Sequence, residues 1–309
     1  MLIPSVLRTG HVQLRVLDLE ESVHFYTDVL GLKETGRDAT NRVYFKAWDE
    51  RDHSSLILQE DASPGLAALA FKVLDDDHLD RAEKGLAAYG IKGEWIDGGD
   101  LLEIGRRLRF TSVAGHQVDL YSNKTDVGRD VPDEDPPAWD ESSERGMGIS
   151  RLDHCVLYGP KPEEAAQQLV KALGFYVTEQ VDLADRSGDL GVWLSSSTRA
   201  CDIAFVQHDA PGKLHHLAFR VANAEQLLRA ADTLSMNRVQ IDAGPFRDPI
   251  GRKLAVQAFD PSRNRIEIFT GGYDCYPDGI PIRWSWKAAG RAIAARDQRT
   301  LDRIFPVVS

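Results

Sequence analysis

The sequence predicts an α+β fold made of four βαβββ modules in two tandem domains, with a helical tail at the C-terminus. Three observations support this prediction: an internal repeat, alternating apolar and polar residues in the repeated strands, and an acidic stretch between the two halves. The chain has 309 residues, of which 42% are hydrophobic and 28% are charged. This length and composition are typical of a globular protein with room for two full hydrophobic cores.

The first part of the repeat relates the beginnings of the two halves. Residues 10–33 read as a strand, then a helix with Asp18 as its predicted N-cap, and then Gly31 where a helix ends. Residues 152–177 repeat this plan and place Gly174 at the corresponding helix end. Each half therefore begins with a strand followed by a capped helix.

The second part of the repeat keeps one register over two separate segments. Residues 65–73 (GLAALAFKV) match residues 213–221 (KLHHLAFRV), and a predicted helix follows each. The same spacing carries residues 118–121 (VDLY) onto residues 266–269 (IEIF). These segments alternate apolar and polar residues, as half-buried antiparallel strands do. Each quarter of the chain is therefore predicted to be one βαβββ module.

An acidic segment separates the halves. Residues 126–145 (DVGRDVPDEDPPAWDESSER) contain three prolines and an excess of acidic residues, which predicts a solvated linker. We therefore place an N-terminal, non-catalytic domain at residues 1–125, a linker at 126–149 and a C-terminal domain at 150–309. Residues 284–304 have helical character and form the predicted tail.

The charge and cysteine content exclude several classes of protein. The chain carries 37 Lys and Arg against 48 Asp and Glu, a net charge of -11, which argues against nucleic-acid and anionic-membrane partners. We expect neither a membrane helix nor a signal peptide. The cysteines Cys155, Cys201 and Cys275 show no CxxC spacing, so a disulfide scaffold is excluded. We expect a cytoplasmic protein.

Four residues of the second half are candidate metal ligands. His154 lies on the first strand of the third module, His215 and His216 on the first strand of the fourth, and Glu267 on the last strand. Since neighbouring strand residues point to opposite faces, only one of the paired histidines can join His154, and His216 holds the equivalent position. Two imidazoles and one carboxylate form the facial triad that binds Fe(II). The alternative is that His154 and His216 only satisfy hydrogen bonds at strand ends.

The first half provides an internal comparison for this triad. By the repeat, His11 corresponds to His154, Ala68 to His216 and Asp119 to Glu267. The first half thus lacks the middle ligand. The sequence therefore predicts one metal site, in the C-terminal half, beside an N-terminal half that serves as a scaffold.

Several segments resemble a known family. The chain is similar to the type I extradiol ring-cleavage dioxygenases of the vicinal oxygen chelate (glyoxalase/bleomycin-resistance) superfamily, and most of all to their catechol 2,3-dioxygenase branch. The resemblance implies Fe(II), or less often Mn(II), bound by His154, His216 and Glu267, a catecholic substrate with O₂, and often a homotetramer. Among the segments that carry it are GHVQLRVLDLEESVHFYTDVLGL, RVYFKAWDE, GRRLRFTSVAGHQVDLYSNK, GKLHHLAF and FDPSRNRIEIFTGG.

The chain departs from the family pattern around the metal. Cys201 stands where the family has a histidine that acts as acid and base, and Asp248 where a second histidine binds the diol. Gln257 replaces a family tyrosine. These three residues are the candidate catalytic positions. Asp248 could accept a phenolic proton, whereas Gln257 can donate a hydrogen bond but transfers no proton at neutral pH.

The favoured function is an Fe(II)-dependent extradiol dioxygenase that cleaves a catechol-type ring beside the diol with O₂. Two alternatives stay open at this point. One is a metal enzyme of the same superfamily with non-oxygenase chemistry, such as isomerisation or hydrolysis. The other is a non-catalytic protein that binds catechols through its metal.

Overall fold

A computed structural model of the chain describes residues 6–138, 141–183, 185, 187–293 and 309. Within these residues the strands form two sheets, one of eight strands and one of nine. Helices accompany both sheets, so the predicted α+β class is confirmed. The helices found in this part of the chain are too short or too polar to cross a membrane.

The first sheet is built from the N-terminal half. Its elements are β1 (Val6–Val16), α1 (Leu19–His24), a π-helical turn (Phe25–Val29), β2 (Lys33–Arg37), β3 (Val43–Lys46), β4 (Leu56–Glu60), β5 (Gly65–Val73), α2 (Asp76–Ala88), β6 (Glu94–Ile96), β7 (Arg107–Thr111) and β8 (Gln117–Tyr121). The strand order is β2-β3-β4-β1-β5-β8-β7-β6.

The second sheet is built from the C-terminal half. Its elements are a 3₁₀ turn (Glu141–Glu144), β9 (Arg151–Gly159), α3 (Pro162–Leu173), β10 (Tyr176–Asp182), β11 (Asp189–Ser195), β12 (Ile203–Gln207), β13 (Lys213–Arg220), α4 (Ala224–Met236), β14 (Ile241–Asp248), a second 3₁₀ turn (Ile250–Arg252), β15 (Lys253–Phe259), β16 (Arg265–Gly271), β17 (Ile282–Trp284) and α5 (Trp286–Ile293). Its strands follow the order β14-β15-β16-β13-β9-β12-β11-β10-β17. The predicted tail begins as α5, and its residues 294–304 lie outside the described residues.

The connectivity reproduces the four predicted βαβββ modules. In each half the first strands of the two modules pair antiparallel, β1 with β5 and β9 with β13. The last strand of each module runs parallel to its own first strand, as β12 does beside β9 and β16 beside β13. The centre of the second sheet therefore brings β9, β13 and β16 together as neighbours.

The predicted helix boundaries are confirmed where local chemistry sets them. The Asp18 carboxylate accepts a hydrogen bond from the Glu21 amide at 2.9 Å and so caps α1. Gly174 ends α3 with a φ of 80°, a conformation that glycine adopts without steric cost.

The hydrophobic core runs through both halves. One continuous cluster of buried apolar side chains includes residues from both sheets. The rings of Phe71 and Phe175 meet edge to face across the halves, with centroids 5.0 Å apart. The segment between the halves also joins the core at its end, where Met147 and Ile149 are buried. The division into residues 1–125, 126–149 and 150–309 stays a prediction.

A turn of the C-terminal half docks onto the N-terminal half. The hydroxyl of Tyr26 donates to Asp260 at 3.1 Å, and the amide of Leu17 donates to Ser262 at 2.8 Å. The side-chain amide of Asn264 donates to the Arg15 carbonyl oxygen at 3.1 Å. These bonds anchor residues 260–264, the turn that leads directly into β16.

Helices α2 and α3 cross closely at Gly85. A Cβ atom at this position would lie 2.5 Å from the carbonyl oxygen of Ala172, closer than van der Waals packing allows. The glycine therefore permits the two helices, one from each half, to approach at backbone distance.

We predict that Gly85→Ala lowers stability. An exposed Gly→Ala change within a helix normally stabilises it by about 0.5–1 kcal/mol. Here the added methyl overpacks the crossing, and we expect a net loss of about 1–3 kcal/mol. Thermal or denaturant unfolding measures the difference, and Ala87→Ser on the exposed side of α2 serves as a control. A variant more stable than the parent would contradict the close crossing.

Candidate metal centre

The three predicted metal ligands lie on adjacent strands at the centre of the second sheet. Ala218 of β13 pairs with His154 of β9 on one side and with Glu267 of β16 on the other. His216 lies two residues before Ala218, so its side chain points to the same face of the sheet. The strand register therefore brings together the three side chains that the repeat identified.

The donor atoms are close enough to share one metal ion. The ligand atoms of His154, His216 and Glu267 all lie within 4.8 Å of one another. The Nε2 atoms of His154 and His216 are 3.8 Å and 3.7 Å from the Glu267 carboxylate. In the described part of the chain, this is the cluster of His, Cys, Asp and Glu that could hold a metal.

Burial gives the two imidazoles the protonation state of ligands. Burial lowers the pKa of His154, and that of His216 falls well below the usual value. Both rings are therefore neutral at pH 7, as metal ligation requires. The Nε2 atom of His216 is buried and has no hydrogen-bond partner among the described residues. The donor set therefore fits a divalent metal, because a buried nitrogen of this kind needs a partner.

The structure distinguishes the paired histidines. His216 belongs to the donor cluster, while the ring of His215 packs against Tyr158 with centroids 4.7 Å apart. The pairing of β13 with β9 shifts in register between Leu214 and His216, and the Nδ1 atoms of His215 and His216 lie 2.6 Å apart. The two rings are therefore in contact and do not point to opposite faces as the alternation predicted.

A buried ion pair orients His154, and sequence reasoning did not identify it. The Nδ1 atom of His154 lies 3.0 Å from an Asp153 carboxylate oxygen, and Arg199 lies 3.0 Å from the other oxygen. Burial alone would raise the pKa of Asp153, but Arg199 holds it far below its usual range. The ionised Asp153 therefore fixes the ring and leaves Nε2 as the nitrogen available for a metal.

A lysine also reaches the donor cluster, and sequence reasoning did not identify it either. The Nζ atom of Lys253, the first residue of β15, lies 2.7 Å from Glu267 Oε1 and 3.3 Å from His154 Nε2. Its side chain is 8% exposed. Burial opposes the charge of Lys253, but the carboxylates of Glu267 and Asp248 raise its pKa above the usual value. Burial alone would raise the pKa of Glu267, but the nearby charge of Lys253 brings it below the usual value.

The three candidate catalytic positions lie around this cluster. Gln257 is opposite Glu267 in the sheet and donates to its Oε2 atom at 2.9 Å. Asp248 lies 3.9 Å from the Lys253 Nζ atom, and burial raises its pKa to about 7. Cys201 is buried, and burial raises the pKa of its thiol well above the usual value. The structure thus places all three near the donors.

A cleft of about 670 Å³, its open mouth included, reaches His154 of the donor cluster and the neighbouring Lys253. Its walls combine apolar rings with cationic side chains, so it could accept a small aromatic molecule that carries oxygen atoms. The lining includes His154, Trp193, Arg199, Cys201, Lys253 and Phe269.

The equivalent position in the N-terminal half is filled by arginine and lysine side chains. Asp119 accepts hydrogen bonds from Arg107 at 3.1 Å and from Arg109 at 2.6 Å. The Nζ atom of Lys124 lies 3.1 Å from His11 Nδ1. Ala68 offers no donor atom. This half therefore neutralises its carboxylate through side chains.

Two family models match the chain. The Glyoxalase/Bleomycin resistance protein/Dioxygenase superfamily matches residues 8–95 and 151–268. The Catechol 2,3-dioxygenase-like N-terminal domain matches residues 67–125.

Similar proteins align over nearly the whole chain. A metapyrocatechase of Pseudomonas sp. (strain CF600) is 41% identical over 99% of both chains. A metapyrocatechase of Geobacillus stearothermophilus is 31% identical over 91% of this chain and 86% of that protein. A manganese-dependent 2,3-dihydroxybiphenyl 1,2-dioxygenase of Geobacillus genomosp. 3 is 28% identical, over 91% of this chain and 90% of that protein.

Solved structures share the fold. The 2,3-dioxygenase LapB from Pseudomonas sp. KL28 superposes with a TM-score of 0.90 at 46% identity, covering 93% of this chain and 99% of its own. The homoprotocatechuate 2,3-dioxygenase from Brevibacterium fuscum, in complex with 3,4-dihydroxyphenylacetate, gives 0.81 at 28% identity, covering 92% and 86%. These relatives are named as metapyrocatechases or dioxygenases, so they favour neither non-oxygenase chemistry nor a purely binding role.

We predict that His216→Ala loses nearly all bound metal, whereas His11→Ala retains it. The first change removes one of three donors, and the second lies in the half that has no complete set. Metal analysis of both purified variants after loading with Fe(II) tests this. His215→Gln should also retain its metal. Equal loss in the His11 and His216 variants would contradict the assignment.

Proposed function

Because the chain belongs to the glyoxalase/bleomycin resistance protein/dioxygenase superfamily and is an extradiol ring-cleavage dioxygenase, we propose that it uses Fe(II) and O₂ to open a catechol-type ring beside its two hydroxyl groups. The observation that carries the proposal is the buried cluster of His154, His216 and Glu267. Two neutral imidazoles and one carboxylate leave positions on a metal free for a substrate and O₂.

The proposed metal is Fe(II), with Mn(II) as the other candidate. Nitrogen and carboxylate donors suit both ions, and one relative is named as manganese-dependent. When bound, the metal would hold the diol oxygens together with O₂ and pass electrons between them. The part of the protein is then to orient the ligands, to bind the ring and to move protons.

Two neighbouring side chains would keep the ligands in place. Asp153 holds the Nδ1 side of the His154 ring, and the Gln257 amide donates to the Glu267 carboxylate. Such partners fix the orientation of metal ligands, and their loss typically costs 10- to 100-fold in affinity or activity. Gln257 is therefore proposed to act through Glu267 and to transfer no proton.

Asp248 is the proposed acid–base group. Burial raises its pKa to about 7, so the carboxyl group can both accept and return a proton near neutral pH. Cys201 keeps its proton, because burial raises the pKa of its thiol. Its proposed role is therefore to shape the cleft, where it packs in a cluster that includes Tyr158 and Ala204.

The cleft supports an aromatic diol as the substrate class. Trp193 and Phe269 provide apolar surface for a ring, and Arg199 lies at the same cleft. The family resemblance further leads us to propose a cytoplasmic homotetramer that acts in the breakdown of aromatic compounds.

We predict that the iron-loaded protein, kept reduced, converts catechol to a yellow ring-opened product with one O₂ consumed per catechol. Absorbance and an oxygen electrode measure the two quantities together. Metal-free protein should show neither change. Tight metal-dependent catechol binding without O₂ uptake would contradict the proposed function.

We also predict that Asp248→Asn lowers kcat by more than tenfold at saturating metal, with the metal content unchanged. The amide cannot accept the proton that the carboxylate takes, and loss of a positioned base typically costs 10²–10⁴-fold. Steady-state kinetics with metal analysis test this, and Asp232→Asn on the exposed side of α4 is the control. A fully active Asp248→Asn variant would show that this carboxylate takes no part.

A further inference from the structure

The Lys253 side chain places its positive charge beside donor atoms that a metal would need. Since Asp153 occupies the Nδ1 side of His154, Nε2 is the nitrogen left for a metal, and the Lys253 ammonium lies 3.3 Å from it. The same ammonium donates to Glu267 Oε1 at 2.7 Å. Two of the three donors therefore already have a cationic partner.

The buried acidic groups explain why a cation is needed at this position. Glu267 is 1% exposed, and Asp248, whose side chain is 16% exposed, lies with its Oδ2 atom 3.9 Å from the ammonium. An ionised carboxylate without a partner is costly in such surroundings. Lys253 supplies the compensating charge from inside the chain. The third donor, Nε2 of His216, has no hydrogen-bond partner in the described part of the chain.

In the N-terminal half, basic side chains also neutralise a buried carboxylate, although its described residues include no full set of metal donors. There Arg107 and Arg109 neutralise Asp119, and Lys124 contacts His11. Ala68 takes the place of the middle ligand, so this half lacks a third donor for a metal at that position. The C-terminal half differs because it combines a complete donor set with an internal cation.

We propose that Lys253 competes with the metal ion for the C-terminal site. In the metal-free protein its ammonium neutralises Glu267, and it must leave this carboxylate before a metal can bind all three donors. Asp248 lies close enough to offer the displaced ammonium a second carboxylate. The lysine therefore stabilises the metal-free fold and weakens metal binding. This inference rests on the proposed metal site, not on the reaction that the site performs.

The variant Lys253→Met tests the competition, since methionine keeps an unbranched apolar chain and lacks the charge. Metal-free wild type and variant are titrated anaerobically with Mn(II) by calorimetry, and their thermal unfolding is followed with and without the ion. We expect the variant to bind Mn(II) at least tenfold more tightly. Its metal-free Tm should be lower than that of the wild type, and its rise on loading larger.

Lys124→Met is the control, because it removes a buried lysine that contacts His11, the N-terminal counterpart of His154. We expect it to lower Tm and to leave the affinity for Mn(II) unchanged. Should Lys253→Met fail to fold, Lys253→Gln retains a hydrogen-bond donor to Glu267 without the charge and should also bind Mn(II) more tightly than the wild type.

The possible outcomes separate this inference from the proposed function. Equal or weaker Mn(II) binding by the Lys253 variants, with binding by the wild type intact, would overturn the competition and leave the metal site standing. Binding by the variants alone would support the competition in its strongest form. If neither wild type nor variants bind Mn(II) or Fe(II), the proposed metal site and the competition are both wrong.

Discussion

The antiparallel pairing of β9 with β13 is the constraint on which the site depends. It sets His154 and His216 on the same face of the sheet, and the parallel pairing of β13 with β16 then adds Glu267 beside them. A shift of this register by one residue would turn the side chains of one strand to the opposite face. The other strands of the second sheet, its helices and the core hold these three strands in register. The position of the donors is therefore a property of the whole fold.

Charge balance is the second requirement, and the two halves meet it differently. A buried ionised carboxylate is costly unless a cation or hydrogen bonds compensate its charge. Asp119 has two arginines as permanent partners, whereas Glu267 has one lysine beside two histidines that a metal could share. In both halves, side chains supply positive charge to the buried carboxylate, and among the described residues only the C-terminal half also has the donor set proposed to hold an ion. The proposed difference between a scaffold half and an active half would rest on a few side chains on equivalent strands.

The sequence predicted the modules through strand alternation and the donor triad through an internal repeat, and both patterns are visible in the residues. Alternation failed at His215 and His216, where the strand register shifts. Asp18 and Gly174 set helix ends through local chemistry, so these positions were predictable too. Lys253 was not predicted, since a lysine at the start of a strand usually faces solvent and its burial depends on the cleft around it. Asp153 and Arg199 meet only through tertiary packing, and the crossing at Gly85 joins helices of different halves. No local pattern encodes such contacts.

The docked turn at residues 260–264 gives the N-terminal half a structural role in the C-terminal site. Tyr26, Leu17 and Arg15 hold this turn, and the strand that carries Glu267 begins directly after it. A C-terminal fragment on its own would expose Asp260 and Asn264 without these partners and would loosen the start of β16. The N-terminal half therefore helps to hold in place the strand that carries Glu267. The N-terminal half has Ala68 where the other half has His216, but deleting this half would remove the partners that hold the turn before β16.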